Sequence, residues 1–102
     1  MRAFQNVVNF GTAPKQAVGD PSIRAFRIEA QPLVSNSAAS AVALSSSANL
    51  KTGAGIVRQF GAGLSILPFI IEAPNGGDLI RVSDFYFLGT SGQAMLVTYW
   101  QE

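Results

Sequence analysis

Six carboxylates, Asp20, Glu29, Glu72, Asp78, Asp84 and Glu102, are the side chains in this 102-residue sequence best able to do acid–base chemistry. Two carboxyl groups flanking a sugar–sugar bond is the chemistry of a glycoside hydrolase. Here the acids are scattered, and each has a plainer use. Glu29 sits beside Arg27 in an alternating pattern, and Asp78 follows the turn-forming run Pro74-Asn75-Gly76-Gly77. Asp84 interrupts an apolar stretch three residues after Arg81 and reads as an acid that orders a turn or joins a salt bridge. The many serines lack a base: histidine is absent, and neither Lys15 nor Lys51 lies in a Ser-x-x-Lys arrangement. The nucleophile elbow Gly-x-Ser-x-Gly is missing as well. With neither His nor Cys, the chain has no thiolate, no disulfide and no zinc-finger-type ligand set. The glycine-rich runs Lys51-Thr52-Gly53-Ala54-Gly55 and Gly89-Thr90-Ser91-Gly92 have the residues of a phosphate cradle but not the order, so both read as hairpin turns. No catalytic residue, metal ligand or cofactor-binding residue is assigned, and the expectation is a protein that is not an enzyme and needs no cofactor.

The elements that would position any site are strands. Phe4, Val8 and Phe10 alternate with Gln5 and Asn9 in a first strand, and a turn-rich stretch over residues 12–21, holding Pro14, Gly19 and Asp20-Pro21, follows it. Together residues 1–21 form a strand or arm with its loop. Residues 22–30 read as a second strand with Phe26, Ile28 and Ala30 on one face and Arg27 and Glu29 on the other, bulged near its start. The segment from 32 to 50 is rich in Ser and Ala and free of charge; by alanine propensity Ala38 to Leu44 suits a short helix, while Val42 and Leu44 alternating with small residues suit a strand packed closely against a neighbour, and the strand is the preferred reading. Further strands are expected at 56–60, 64–71, 79–88 and 94–100, with Pro68 marking an edge or a bulge. About seven or eight short antiparallel strands with regular turns predict one all-β domain over residues 1–102, a small β-sandwich or jelly-roll-like barrel.

Composition narrows the partners. Charged residues are 13% of the chain, about half the ~25% of an average soluble domain, and the net charge is +1. Such a balance offers no basic face for nucleic acid. The longest strictly apolar run, from Ile66 to Ile71, is far too short for a membrane helix, and the opening Met1-Arg2-Ala3-Phe4-Gln5-Asn6 turns polar too early for a signal peptide. A protein made in the cytoplasm, without a membrane or nucleic-acid partner, is expected. Three charge-free segments of high β propensity, Ile66-Leu67-Pro68-Phe69-Ile70-Ile71, Phe85-Tyr86-Phe87-Leu88 and Met95-Leu96-Val97-Thr98-Tyr99-Trp100, would invite aggregation if left bare. They predict a homo-oligomer, a trimer being favoured, or a subunit docked on a larger lattice.

The second half of the chain runs Gly61-Ala62-Gly63-Leu64, then Gly77-Asp78-Leu79-Ile80-Arg81-Val82-Ser83-Asp84-Phe85-Tyr86, then Gly89-Thr90-Ser91-Gly92-Gln93 and Leu96-Val97-Thr98-Tyr99. Over residues 53–100 this resembles small bacteriophage virion structural proteins that end in a strand, a Gly-Thr-x-Gly turn and a Val-x-Tyr strand. The resemblance implies a capsid cement or decoration protein, or a small tail or spike component, located in the virion, assembled in the host cytoplasm and held by a major capsid or other virion protein. Its expected interface residues are Phe4, Val7, Val8, Phe10, Phe69, Ile71, Tyr86 and Trp100, with the first strand able to join a neighbour's sheet. The alternative is a carbohydrate-binding module of a host-recognition fibre, with a glycan laid on exposed Tyr86 or Trp100.

Overall fold

Period-two alternation of apolar and polar residues is realised almost throughout as antiparallel sheet. In the computed structural model, which describes residues 2–62, 67–74 and 77–101, ten strands follow one another. They are β1 (Arg2–Asn9), β2 (Lys15–Gln16), β3 (Arg24–Ala25), β4 (Arg27–Pro32), β5 (Ser40–Ala43), β6 (Ile56–Phe60), β7 (Phe69–Glu72), β8 (Ile80–Arg81), β9 (Tyr86–Leu88) and β10 (Ala94–Gln101). One four-stranded sheet has the order β1-β10-β4-β7, a second the order β2-β9-β5-β6, and β3 and β8 form a short ladder between them in sequence. All named pairings are antiparallel. The domain is a small all-β sandwich. The count exceeds the expected seven or eight because β2, β3 and β8 are two-residue pieces.

The core lies between the two large sheets. Val8, Ile28, Ala30, Met95, Val97 and Tyr99 point inward from the first, and Val42, Phe60 and Phe87 from the second. Alternation places them there: in β10 the buried residues are Met95, Val97 and Tyr99, while Leu96, Thr98 and Trp100 on the other face stay half-exposed. Complete burial of such side chains is the main stabilising term, about 1.5–3 kcal/mol each.

The stretch 79–88, expected as one long strand, is interrupted. A single 3-10 turn, Val82–Asp84, separates β8 from β9. The chain passes from the β3–β8 ladder to the second sheet at this point, and the turn brings residues three apart to the same side. Val82 and Phe85, 1% and 5% exposed, therefore both enter the core, which a straight strand would not allow. Asp84 lies exposed on the turn. A similar break divides the expected strand 22–30: β3 ends at Ala25, Phe26 stands outside both strands, and β4 then buries Ile28, Ala30 and Pro32. The phase change expected near the start of this strand is this break. Phe26 keeps its backbone bonded on both sides, to Trp100 and Ala73.

The charge-free Ser/Ala segment supplies β5, the inner strand between β9 and β6, with all four residues buried. Its small side chains have a packing reason. Residues 44–55 fold back over the outer face of the second sheet, where Ala48 meets Ala41, Ala43 and Leu88, with Leu50, Ile56 and Tyr86 around them. A bulky residue at Ala41 or Ala43 would lift this flap. The flap is closed by Leu44 N–H donating to the Gly55 carbonyl at 2.9 Å and by the Asn49–Ala54 bridge, and the positive φ of Gly53 and Gly55 shapes its turn. Leu44, expected to share the strand pattern with Val42, turns outward at 54% exposure after the register shift at Ala43. Of the expected strand 64–71 the structure keeps β7, which begins after Pro68, so the proline lies outside the strand instead of within it, and β7 ends its sheet; residues 63–66 lie outside the described residues.

Candidate interaction surface

The outer face of the first sheet is built from three cross-strand rows fixed by the register. Ala3, Trp100, Arg27 and Glu72 form the first, Gln5, Thr98, Glu29 and Ile70 the second, and Val7, Leu96 and Gln31 the third. Every one of these residues is exposed or half-exposed. The face is broad, mostly uncharged, and carries the apolar side chains of Val7, Leu96, Ile70 and Trp100. Its three charges form one cluster with a net charge of −1: Arg27 lies 3.4 Å from Glu29, contacts Glu72 directly and places its guanidinium 5.4 Å from the centre of the Trp100 ring. A cation over an indole contributes about 0.5–1 kcal/mol at an exposed site, so Arg27 anchors the ring more than it stabilises the fold.

The eight expected interface residues divide. Val8 and Phe10 are buried in the chain's own core, and Phe4, Phe69 and Ile71 pack against it. Phe4 stacks on Tyr99 with 5.4 Å between ring centres, and Phe69 meets Phe85 at 6.0 Å. Tyr86 packs against the small cluster under the flap. Val7 and Trp100 are the two that turn outward on the first sheet, at the end and middle of its width. The first strand is paired along its whole length with β10, and residues 12–21 do not swing free: β2 joins β9, and the Asn6 amide donates to the Ala17 carbonyl at 3.1 Å. The sequence reading missed Leu96, Ile70 and Thr98 as face residues. Their two-faced strands were the signal, but the choice of inner face needed the register.

Among the described residues, two further depressions lie elsewhere. A cleft of about 290 Å³ runs between residues 11–14 and 48–51, with Lys51 its one charge. A wider, shallow hollow is lined by Arg24, Arg81, Asp78, Asp84 and Leu79. Arg24 and Arg81 are direct partners in the β3–β8 ladder, a like-charge juxtaposition, and Arg24 donates to the Pro21 carbonyl. Among the described residues no three His, Cys, Asp or Glu side chains converge as a metal site, and no helix is long and apolar enough to cross a membrane. Asp20 titrates below the ordinary carboxylate range because the Ser22 backbone N–H, and then its hydroxyl, donate to Oδ1.

No family model matches the chain. Neither does any curated protein or solved structure.

Proposed function

We propose that this protein acts as a non-enzymatic structural subunit of a virus particle, a cement or decoration protein that stabilises a phage capsid through protein–protein contacts. The observation that carries the reading is the asymmetry between the sheets. The chain's own flap covers Ala41, Ala43 and Leu88 on the outer face of the second, whereas no segment of the chain packs over Val7, Leu96, Ile70 and Trp100 among the described residues of the first, whose charges are Arg27 and its partners Glu29 and Glu72. Flat, weakly charged faces with an aromatic anchor suit burial against another protein. Low overall charge and the likeness of residues 53–100 to small virion proteins point the same way.

Trp100 also keeps the carbohydrate alternative in play, since it faces outward beside Thr98, Gln5 and Glu29. Tyr86, the other ring considered for a glycan, lies in the second sheet and packs against the cluster under the flap.

The test is co-purification with gradient-banded particles from cells producing the virus. Recovery of the chain in the particles, and its loss with Leu96→Lys or Trp100→Glu, would support the reading. Particles that are normal in composition and heat stability without the chain would overturn it. Glycan-array binding that disappears with Trp100→Ala would move the function to sugar recognition.

A further inference from the structure

Four strands end the two large sheets: β1 and β7 in the first, β2 and β6 in the second. An end strand leaves a row of backbone N–H and C=O groups without ladder partners, and proteins guard it by shortness, charge, proline or a bulge. Three of the four are guarded. β2 is two residues long and carries Lys15. β7 is four residues long, follows Pro68 and ends on Glu72. β6 carries Arg58 and pairs with β5 across a register shift. β1 has only a charge at its first residue and no proline, bulge or shortness to guard it. It is eight residues long, Arg2 is its one charge, and its register with β10 runs unbroken from Arg2↔Gln101 to Asn9↔Ala94.

The phase of the ladder says which groups are free. The Phe10 N–H donates to the Gln93 carbonyl at 2.8 Å, in continuation of the same register. Every second residue of an antiparallel strand bonds to a given neighbour, so Val8, Asn6, Phe4 and Arg2 face β10. The backbone groups of Ala3, Gln5, Val7 and Asn9 point away from it, and the side chains of all four are exposed, Val7 at 53%.

The geometry points to this edge as the site where a second copy of the chain adds its own β1, antiparallel, about a two-fold axis through Asn6. That axis alone pairs all four outward residues: Ala3 with Asn9 of the second copy, and Gln5 with Val7. Each pair exchanges both backbone hydrogen bonds, and the core sides of the joined sheets stay on one side because even residues meet even and odd meet odd. The edge is complementary to itself. No like charges meet, since Arg2 falls opposite Phe10, and polar Gln5 flanks apolar Val7. The inference stands on the edge and holds whether or not the protein sits in a virion. A two-fold contact of this kind builds a dimer and not a trimer.

Sedimentation velocity of the purified chain over a dilution series tests it. The contact is at the small end of interface sizes, so a monomer–dimer equilibrium that dissociates on dilution is expected. Gln5→Lys/Val7→Lys sets like charges across the axis and should weaken association about 10-fold or more, whereas Gln5→Lys/Val7→Glu sets opposite charges there and should restore it. Leu96→Lys, on the sheet face, should leave the dimer intact. A monomer at every concentration, a trimer, a dimer indifferent to the paired lysines, or one abolished by Leu96→Lys would each overturn the assignment.

Discussion

The side chain of Asn36 pairs with the backbone of Ala94 as though it were another strand. Its amide Nδ2 donates to the Ala94 carbonyl at 2.8 Å, and its Oδ1 accepts from the Ala94 N–H at 3.2 Å. Asn36 is 3% exposed, so both bonds are shielded from water. They pin the turn after β4 to the start of β10, where β4 itself no longer reaches.

Asn36→Ala should therefore cost more than a surface change. It strands the Ala94 N–H in a dry position, a loss of roughly 1–3 kcal/mol. Urea unfolding followed by circular dichroism reads this as a lower midpoint with an unchanged slope.

The opposite sign is expected at Ser40. Its hydroxyl is buried beside Phe60 in the sheet and has no hydrogen-bond partner among the described residues. Ser40→Ala removes an unmatched polar group and should leave stability equal or raise it by about 1 kcal/mol. A clear loss would mean that the hydroxyl is bonded in solution.

Gly89 lies against the ring of Phe10. A Cβ at this position would come 2.6 Å from the Cδ2 and Cε2 of Phe10, closer than any real contact. Gly89→Ala should destabilise by about 1–3 kcal/mol through overpacking, and Phe10→Leu should relieve part of the clash. A double-mutant cycle would show non-additivity between the two sites.

Trp100 is the one tryptophan in the chain, which makes it a clean optical probe of the candidate face. Arg27→Gln takes the guanidinium from above the ring and should shift its emission to the red. Stability should change by less than about 1 kcal/mol, because the cation and its acidic partners remain in contact with water. An unaltered spectrum would show that Arg27 does not rest on the ring in solution.

Asp20 supplies a pH-dependent prediction with a definite sign. Its folded pKa is lowered by the Ser22 bonds, so whatever stability it adds is present above the ordinary aspartate pKa and is lost as pH falls through the lowered one. Carboxyl NMR titration should find a midpoint below that of a free aspartate. Ser22→Ala removes the hydroxyl donor but keeps the N–H, and should raise the midpoint part of the way back.

Local chemistry made much of the fold legible. Alternation identified β1, β6 and β10, and the glycines near 53 marked the turn that returns the chain to β6. These signals arise within a few residues of one another, where sterics and burial act directly. The turn ending at Gly92, expected to close a hairpin, instead carries the chain from the second sheet to the first, because β9 and β10 pair with different neighbours. The break at Val82–Asp84 was hidden because its cause is not local: Val82 and Phe85 take the same side only because the core between two distant sheets needs both.

The candidate surface divides along the same line. Sequence by itself determined an all-β domain, low in charge, without imidazole or thiol, and with more apolar strand faces than one small core can hold. Only tertiary structure decided which faces were left over. The flap of residues 44–55 packs on the outer face of the second sheet, so Tyr86 is held against the cluster beneath it, while register places Trp100, Leu96 and Val7 on the open side of the first. An eight-residue strand with two usable faces reads the same in either orientation; the neighbours that fill one side choose the other for contact.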